Sequence, residues 1–577
     1  MRYFVLATDY DGTLATDSHV NEKTLAALER LRASGRKLIL VTGRQLDDLQ
    51  QVFDRIDLFD YVVAENGALL YLPASRQEKL LGSQPPQEFI QALRDRHVEP
   101  LSVGRVIVAT WHPQETTVLQ TIRDLGLELQ VIFNKGAVMV LPSGINKAAG
   151  LLAALHEMKL SPHNVVGVGD AENDHAFLKL SELSVAVANA LPMLKEQVDF
   201  VTKGNRGDGV VELIDKIIAN DISDLDEQLQ RHKILLGTRT DGAEVHIKPY
   251  GSSILLAGTS GGGKSTLATA VLERIAEQNY QICIIDPEGD YENFEPGIIL
   301  GNTESSPRIA EVLDLLEQHN QNVVVNLLGI ALQDRPTFFA ELLSILLELR
   351  SRTGRPHWIV VDEAHHLLPG SWNPASLTLP QQLKGMMLIT VHPDRVATAG
   401  LSLIDAILTV GNSPEENIKA FCDTIGHCPP QLKSQTLEPG EALAWFSTED
   451  SEPFRFRITP GRTERRRHVR KYAEGKLGED KSFYFRGPEA KLNLRAQNLI
   501  LFTQIAEGVD DETWLFHLQQ GDYSRWFQEA IKDESLAEEV AEIEKSDVYD
   551  GLNLRKSANE SRNAVKAAIE QRYTLPA

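Results

Sequence analysis

Two long stretches of this chain share one pattern, in which short apolar runs alternate with segments of helical periodicity. Residues 1–218 contain runs such as Tyr3–Thr8 and Lys37–Thr42, and residues 233–460 contain runs such as Ser252–Ala257. Continuous apolar runs of strand length, separated by helices, are typical of parallel strands that are covered on both faces. The pattern therefore predicts an α/β fold class, with two domains that are each built on a largely parallel sheet.

The composition and charge narrow the range of partners. Of the 577 residues, 42% are hydrophobic and 24% are charged, which is typical of a folded globular protein. The net charge of −23 disfavours a nucleic acid as partner of the whole surface, since phosphate binding needs positive charge. No signal segment precedes the first apolar run, and no run approaches the roughly 20 residues of a membrane span. We therefore expect a cytoplasmic protein without a membrane partner.

Three further segments complete the predicted domain organisation. Residues 219–232 are polar and are predicted to be a linker between the two α/β domains, and residues 461–480 form a basic linker. Residues 481–577 are predicted to be a mostly helical domain of unknown role. Aromatic, Arg and His residues in this region fit either a ligand- or partner-binding module or a helical bundle with an aromatic core. The basic run Arg462–Lys471 fits a local contact with nucleic acid, and the acidity of the protein favours a solvated linker or intersubunit salt bridges instead.

A pair of aspartates directly follows the first apolar run. Asp9 and Asp11 are spaced by two residues, so their carboxylates point the same way from an extended chain. The carboxyl ends of parallel strands are where ligands gather in open α/β sheets. At such a position one carboxylate can attack phosphorus while the other transfers a proton to the leaving oxygen. The pair therefore predicts phosphoryl transfer.

Later segments supply the other groups that this chemistry needs. Val41–Arg44 closes a second strand and offers a hydroxyl group and a backbone N–H group for phosphate oxygens. Lys147 begins a helix and provides a cation for the phosphate and for the attacking carboxylate. Gly169–Asp174 closes a later strand and adds carboxylates that suit a hard cation such as Mg²⁺.

These four segments, in this order, resemble the haloacid dehalogenase superfamily of phosphohydrolases. Ala64–Ala68 resembles its Cof-type subgroup, whose cap domain would here span about residues 83–141. The resemblance implies a Rossmann-like domain over residues 1–218 with a small α/β cap. It also implies Mg²⁺-dependent hydrolysis of a small phosphomonoester, of the sugar phosphate or phosphoglycolate class, through an aspartyl-phosphate.

The resemblance also assigns roles to single residues. Asp9 is implied as nucleophile and Asp11 as general acid and base, and both are implied as metal ligands. The implied phosphoryl-binding residues are Thr42 and Lys147, the further metal-site residues are Asp170 and Asp174, and the phosphate- or substrate-binding residues are Gly12, Gly43, Arg44, Asn66 and Asn173. For Arg44 and Asn66 a packing role is an equal alternative.

A second phosphate-binding motif opens the second α/β domain. Gly258–Ser265 follows a strand, precedes a helix and fits the pattern G-x-x-x-x-G-K-[ST], whose backbone N–H groups converge on phosphate oxygens. Lys264 would reach the β- and γ-phosphates of ATP, and Ser265 would bind Mg²⁺. The predicted ATP-binding residues are Gly258, Thr259, Ser260, Gly261, Gly262, Gly263, Lys264, Ser265, Thr266 and His392.

Two acidic residues end a later strand of the same domain. Asp362 is predicted to join the Mg²⁺ shell, and Glu363 is predicted to polarise the attacking water. Together with Asp286–Tyr291, they resemble the HerA/FtsK/VirB4 branch of RecA-like P-loop ATPases over about residues 233–472. That resemblance implies a hexameric ring with ATP at the subunit interfaces, through which nucleic acid or protein is moved.

The sequence departs from this branch at one point and leaves one role open. His392 stands where relatives often have Gln or Asn, and it fits either a γ-phosphate sensor or a packed side chain. An arginine that acts on the ATP of a neighbouring subunit is also needed. Arg352 and Arg355 are the candidates, and both fit solvated loop charges equally well.

The main hypothesis is a phosphatase fused to an ATPase, which either regulates the phosphatase or does mechanical work. One alternative is a ring translocase or defence-type machine, whose phosphatase domain acts on nucleotides or nucleic acid. A third is a nucleotide-binding scaffold with little turnover.

Overall fold

Short buried strands alternate with helices through most of the chain, as the apolar runs predict. The computed structural model describes all residues except 226–230, 260–261, 371–383, 432–435, 448–451, 463–476, 478–481, 532, 546–553 and 574–577. The strands are β1 (Val5–Thr8), β2 (Lys37–Val41), β3 (Tyr61–Ala64), β4 (Leu69–Leu72), β5 (Gln77–Leu80), β6 (Ser102–Val103), β7 (Val108–Trp111), β8 (Leu129–Asn134), β9 (Ala137–Pro142), β10 (Val165–Gly169), β11 (Leu183–Ala186), β12 (Phe200–Val201), β13 (Ile234–Thr238), β14 (Glu244–Ile247), β15 (Ile254–Gly258), β16 (Ile282–Asp286), β17 (Gly297–Leu300), β18 (Asn322–Asn326), β19 (Trp358–Val361), β20 (Met386–Thr390), β21 (Ala406–Val410), β22 (Glu441–Phe446), β23 (Phe454–Ile458), β24 (Phe483–Phe485) and β25 (Leu494–Ala496). The helices are α1 (Glu22–Ala33), α2 (Leu46–Val52), α3 (Gln87–Asp95), α4 (Glu115–Asp124), α5 (Lys147–Glu157), α6 (His175–Leu180), α7 (Pro192–Lys195), α8 (Arg206–Asn220), α9 (Lys264–Glu277), α10 (Ile309–Leu316), α11 (Arg335–Thr353), α12 (Ala364–Leu367), α13 (Thr398–Leu401), α14 (Pro414–Ile425), α15 (Leu499–Gly508), α16 (Asp511–Gln519), α17 (Asp522–Trp526), α18 (Glu534–Lys545) and α19 (Leu554–Tyr573).

The N-terminal sheet has eight strands in the order β12-β11-β10-β1-β2-β3-β4-β5. Strand β1 is central and pairs in parallel with β10 on one side and with β2 on the other. All four of its residues are buried, as expected for a strand that is covered on both faces. Because β1, β2 and β10 run in the same direction, the residues that follow them meet at one edge of the sheet. Asp9, Thr42 and Asp170 lie at that edge.

A separate four-stranded antiparallel sheet, in the order β6-β7-β9-β8, lies between β5 and α5 in the chain and carries α3 and α4. This segment overlaps the stretch 83–141 that is predicted to be a cap, and we refer to residues 87–142 as the cap. It has a core of its own, which includes Phe89 and Val118. The fully buried Glu65 ties the cap to the main sheet, since its carboxylate accepts the backbone N–H groups of Arg105, Val106 and Ile107 at 2.7–2.9 Å.

The second sheet has eleven strands in the order β14-β13-β23-β22-β21-β15-β20-β19-β16-β18-β17. Its strands from β21 to β17 are parallel, and β22, β23, β13 and β14 extend it by antiparallel pairing. The carboxyl ends of β15, β16, β19 and β20 lie at one edge. The predicted α/β class is therefore confirmed for both sheets.

The two α/β halves lie in one compact unit, Met1–Thr459, and share buried polar contacts. We call Arg2, His163, Glu182 and Tyr280 the interdomain polar cluster. Glu182 accepts hydrogen bonds from Arg2 at 2.5 Å, from His163 Nδ1 at 2.7 Å and from the Tyr280 hydroxyl at 2.9 Å. Burial opposes ionisation of Glu182, but the hydrogen bond from His163 and the charge of Arg2 outweigh it and lower the pKa of Glu182 well below its ordinary value.

His163 extends this cluster into the second half of the unit. Its Nδ1 faces the Glu182 carboxylate, and its Nε2 lies 2.8 Å from the carbonyl oxygen of Gln278. Both ring nitrogens of His163 therefore face a hydrogen-bond acceptor. The ring also stacks on Tyr280, with 3.7 Å between the ring centroids.

The second unit, Pro460–Ala577, contains the β24–β25 hairpin and helices α15 to α19, so the predicted mostly helical C-terminal region is confirmed. Phe483, Trp526 and His517 are buried in its core. The His517 ring accepts the backbone N–H of Arg486 at 3.0 Å and lies 2.8 Å from Asp522. These contacts favour a packing role for the aromatic residues. Within the described part of the chain, no helix combines the length and the apolar character needed to cross a membrane.

Candidate active sites

Lys147 joins two aspartates at the carboxyl edge of the N-terminal sheet. It is the first residue of α5, and its Nζ lies 2.6 Å from Asp9 Oδ1 and 2.6 Å from Asp174 Oδ1. All three side chains are buried. A cation in the first turn of a helix opposes the helix dipole, so the two carboxylates provide the compensating charge. The structure thus brings the predicted nucleophile and the predicted phosphoryl-binding lysine together.

Close backbone approach fixes the start of α5 against the loop after β3. A Cβ atom added to Gly150 would lie 2.3 Å from Val63 Cγ1 and 2.8 Å from Gly67 Cα. Gly67 has a φ of 105°, and a Cβ atom there would lie 1.9 Å from the carbonyl oxygen of Asn146. The two glycines therefore allow the contact that sets the position of Lys147.

Asp174 supports this arrangement through both of its carboxylate oxygens. Its Oδ1 binds Lys147, and its Oδ2 accepts the backbone N–H groups of Asp170 at 2.8 Å and Ala171 at 2.9 Å. Both carboxylate oxygens of Asp174 are thus engaged by hydrogen bonds within the protein. This fits the predicted role of Asp174, which is to support the metal site.

Three buried carboxylates crowd this site. One oxygen of each of Asp9, Asp170 and Asp174 lies within 4.8 Å of the others. Burial, followed by the charge of Asp174, raises the pKa of Asp9 to about 8, and burial raises the pKa of Asp170. A carboxylate cluster of this kind suits a divalent cation that prefers oxygen ligands, such as Mg²⁺.

The Asp11 carboxylate is not part of that cluster, although we predicted it as a metal ligand. Arg44 instead binds Asp11 through two hydrogen bonds, from Nε at 2.6 Å and from Nη2 at 2.7 Å. Arg44 also donates to Asp48 at 2.6 Å. A planar guanidinium matches a carboxylate with two parallel hydrogen bonds, which explains why the half-exposed Asp11 turns towards Arg44.

The remaining predicted phosphatase residues surround the same site. Asn173 donates to Asn66 Oδ1 at 3.0 Å, while Asn66 Nδ2 and Asn173 Oδ1 are buried without a partner among the described residues. Both side chains lie beside Gly43, since a Cβ atom there would be 3.5 Å from Asn173. Thr42 is buried at the end of β2. A Cβ atom on Gly12 would lie 2.3 Å from Asp170 Oδ2, so this glycine also lines the site.

The sequence reasoning missed two residues at this site. Lys135 of the cap donates from Nζ to Asp170 Oδ2 at 2.8 Å. Glu65 lies in the Ala64–Ala68 motif, for which the sequence predicts no role of this residue. Its carboxylate binds backbone N–H groups of the cap. A lysine followed by glycine between two apolar runs is the available sequence signal for Lys135, and it marks a turn rather than a site.

The phosphate-binding loop of the second sheet follows β15. Gly263 adopts a left-handed conformation with φ of 97° directly before α9. Lys264 donates to the carbonyl oxygen of Thr259 at 3.3 Å, and the Ser265 hydroxyl donates to Asp290 at 3.3 Å. Asp290 was not predicted as a site residue. Thr266 is exposed on α9, Gly258 and Gly262 flank the loop, and Ser260 and Gly261 lie outside the described residues.

Asp362 and Glu363 follow β19 at the same edge as the loop. Burial raises the pKa of Asp362 to about 7 and also raises the pKa of Glu363. Glu363 has a φ of 41°, an unusual backbone conformation for this residue type that often marks a functional site. Its Oε2 lies 3.3 Å from His365 Nδ1.

His392 is connected to His365, which neighbours Glu363, through the hydroxyl group of Thr390. Its backbone N–H donates to Thr390 Oγ1 at 3.0 Å, and Thr390 Oγ1 lies 3.1 Å from His365 Nδ1. The His392 side chain is 44% exposed, which does not fit a packed core residue. Its role as a γ-phosphate sensor stays a prediction.

Arg355 is wrong as a candidate for the arginine that acts on a neighbouring subunit. It is fully buried and donates to Gln281 Oε1 at 3.0 Å and to the Lys159 carbonyl oxygen at 2.5 Å. These contacts hold it between the two α/β halves. Arg352 is exposed and stays a candidate.

Two parts of the chain match known families. Residues 6–105 and 102–214 match the haloacid dehalogenase-like hydrolase family. Residues 236–334 match the family of the helicase HerA central domain. The protein therefore combines a haloacid dehalogenase-type phosphatase domain with a HerA-type ATPase domain.

Individual relatives are similar to little more than a third of the chain. Phosphoglycolate phosphatase 2 of Saccharolobus solfataricus is 29% identical over 37% of this chain and 92% of its own length. Phosphoglycolate phosphatase of Methanothermobacter thermautotrophicus is 29% identical over 36% of this chain and 96% of its own length. A solved structure of a haloacid dehalogenase-like hydrolase from Bacteroides thetaiotaomicron is 19% identical, with a TM-score of 0.33, over 37% of this chain and 99% of its own.

Proposed function

We propose that the N-terminal domain is a Mg²⁺-dependent phosphatase for a small phosphomonoester of the phosphoglycolate class. The observation that carries the proposal is the buried bridge from Lys147 to Asp9 and Asp174, at 2.6 Å on each side. It places the Lys147 ammonium directly beside the Asp9 carboxylate at the carboxyl edge of the sheet. The names of the two phosphoglycolate phosphatases favour this substrate class.

The chemistry would proceed in two displacements. Asp9 attacks phosphorus, the bond to the ester oxygen breaks, and the leaving oxygen takes a proton from Asp11. Asp11 then accepts a proton from water, whose oxygen attacks the aspartyl-phosphate and releases Asp9 and inorganic phosphate. Lys147 holds the phosphoryl oxygens throughout. Asp11 must exchange its contact with Arg44 for the leaving oxygen before the first step.

A divalent cation fits the same site. Asp9 and Asp170 would hold Mg²⁺, with Asp174 in support, because the three neighbouring carboxylates outnumber the two lysines that pair with them. Bound Mg²⁺ would supply charge neutralisation for the phosphoryl oxygens.

The test is phosphate release from a panel of phosphomonoesters with Mg²⁺. Lys264→Ala protein is used so that ATP hydrolysis adds no background, and Asp9→Asn in the same background is the control. We expect turnover with phosphoglycolate that is lost with Asp9→Asn. Turnover that survives Asp9→Asn, or none across the panel, would contradict the proposal.

The match of residues 236–334 to HerA favours a second function, ATP hydrolysis coupled to work on another macromolecule or on the phosphatase. In this proposal Lys264 and Ser265 bind the phosphates and Mg²⁺, Asp362 completes the metal shell, and Glu363 orients water. Hexamer formation and a cytoplasmic location are part of the same proposal.

ATPase measurements separate the alternatives. DNA-stimulated hydrolysis that declines steeply with salt would support translocation of nucleic acid. Hydrolysis without DNA that is insensitive to salt would support regulation of the phosphatase. Tight ATP binding without turnover would support a nucleotide-binding scaffold, and loss of binding in Lys264→Ala would verify the site in each case.

A further inference from the structure

We propose that Lys135 of the cap selects substrates that carry a carboxylate next to the phosphate ester. The inference rests on the proposed phosphatase function and assigns its substrate selectivity to one residue. Lys135 is the single lysine between residues 83 and 142. Its Nζ reaches from the cap into the main domain and lies 2.8 Å from Asp170 Oδ2.

The backbone at Lys135 is unusual for a lysine. Lys135 and Gly136 form the two-residue turn between β8 and β9, with φ values of 47° and 90°. Turns of this kind favour Asn, Asp or Gly at both positions, because a left-handed backbone conformation is unfavourable for other residues. The sequence therefore keeps a long cationic side chain at a position where turn formation favours other residues, and such positions cluster at functional sites.

The ammonium group lies over the loop that carries the reacting aspartates. A Cβ atom on Gly12 would lie 3.0 Å from Lys135 Nζ and 2.3 Å from Asp170 Oδ2. The side chain is 45% exposed, so its end can move within the site. Asp170 is also the residue proposed to hold Mg²⁺. Once Asp170 binds the cation, the ammonium loses its partner carboxylate, and a substrate carboxylate at the same place would replace it.

An apolar side chain of the cap lines the other side of the site. Met139 of β9 approaches the loop after β2, since its Sδ would lie 3.7 Å from a Cβ atom on Gly43. Asn66 Nδ2, which has no partner among the described residues, is buried near the same loop. The β8–β9 hairpin of the cap thus carries both an apolar side chain, Met139, and a cation, Lys135. This combination fits a short phosphorylated carboxylic acid better than a neutral sugar phosphate.

The experiment compares two esters with the same two-carbon chain, phosphoglycolate and ethyl phosphate, in which a methyl group replaces the carboxylate. Hydrogen bonds to charged groups contribute about 1.5–3 kcal/mol, which corresponds to roughly 10- to 100-fold. In Lys135→Met we expect the ratio of kcat/KM for phosphoglycolate over ethyl phosphate to fall by that factor, mainly through KM. Lys135→Arg should keep much of the ratio. Lys23→Met, which removes an exposed lysine paired with Asp208, is the matched control and should leave the ratio unchanged.

A binding measurement gives a second readout without turnover. In Asp9→Asn protein, calorimetry should show that Lys135→Met weakens binding of phosphoglycolate more than binding of ethyl phosphate. Equal losses for both esters in both assays would overturn the selectivity role while leaving the phosphatase function intact. Failure of the wild type to release phosphate from either ester would instead overturn the proposed function, and the inference with it.

Discussion

Gly150→Ala tests whether the close approach of α5 to the loop after β3 positions Lys147, the proposed phosphoryl-binding lysine. In an ordinary helix interior, this change stabilises by about 0.5–1 kcal/mol, because alanine has the higher helix propensity. Here the new methyl group would meet Val63 Cγ1 at 2.3 Å and Gly67 Cα at 2.8 Å. One contact is a stiff β-branched side chain and the other is backbone. Overpacking of this kind costs about 1–3 kcal/mol. We therefore expect a net loss of about 0.5–2 kcal/mol.

The effect on catalysis should be larger than the effect on stability. Carbon atoms pack at about 3.5 Å or more, so relief of the 2.3 Å contact with Val63 requires a shift of roughly 1 Å. Lys147 lies three residues earlier on the same helix and would move with it. Its 2.6 Å contact with Asp9 would lengthen accordingly. A misplacement of about 1 Å in an active site can cost roughly 100-fold in rate, which is the decrease we expect in kcat.

Thermal unfolding followed by circular dichroism, together with Mg²⁺-dependent phosphate release, measures both effects. Leu152→Ala is the matched control, because Leu152 lies on the same helix and is 39% exposed. It should leave kcat unchanged and alter stability by less than about 1 kcal/mol. A Gly150→Ala protein that is as stable as the wild type and equally active would refute the reasoning.

Three further predictions concern charge. Lys147→Met leaves Asp9 and Asp174 buried without their cation, so phosphate release in a colorimetric assay should fall at least about 100-fold, and a smaller change would argue against its role. Glu182→Gln removes the buried partner of Arg2 and should cost about 3–5 kcal/mol in urea unfolding. Because folding lowers the pKa of Glu182 from 4.5, its contribution is complete above about pH 4.5 and is lost as the pH falls through the folded-state value. Melting temperatures of the two proteins should therefore converge in acid, and a constant difference would contradict this assignment. Chelation by EDTA should abolish phosphate release and added Mg²⁺ should restore it, whereas activity that persists in EDTA would exclude the proposed cation.

The sequence predicts those parts of the protein that local patterns determine. Asp9 and Asp362 each follow a continuous apolar run, and both lie after parallel strands as predicted. The prediction succeeds because hydrophobic periodicity over a few residues indicates a buried strand. Lys147 was placed correctly at a helix start for the same reason. Contacts between distant segments are not readable in this way. The reach of Lys135 to Asp170 depends on how the cap folds over the main sheet.

The errors have the same origin. Arg355 resembles a free loop arginine in sequence, yet it is buried because the two α/β halves meet around it. The resemblance implies Asp11 as a metal ligand, and the sequence gives no sign that Arg44 binds its carboxylate instead.

The interdomain polar cluster makes the contact faces of the two α/β halves depend on each other. Glu182 is contributed by the first half, and Tyr280 and Gln278 by the second, so each half completes the hydrogen bonding of the other. A gene fragment that ended in the linker would expose these groups without their partners. A substitution on one side would leave a buried group on the other side without its hydrogen bond. In descendants of this fusion, the faces that join the phosphatase to the ATPase should evolve together, even where their active sites diverge.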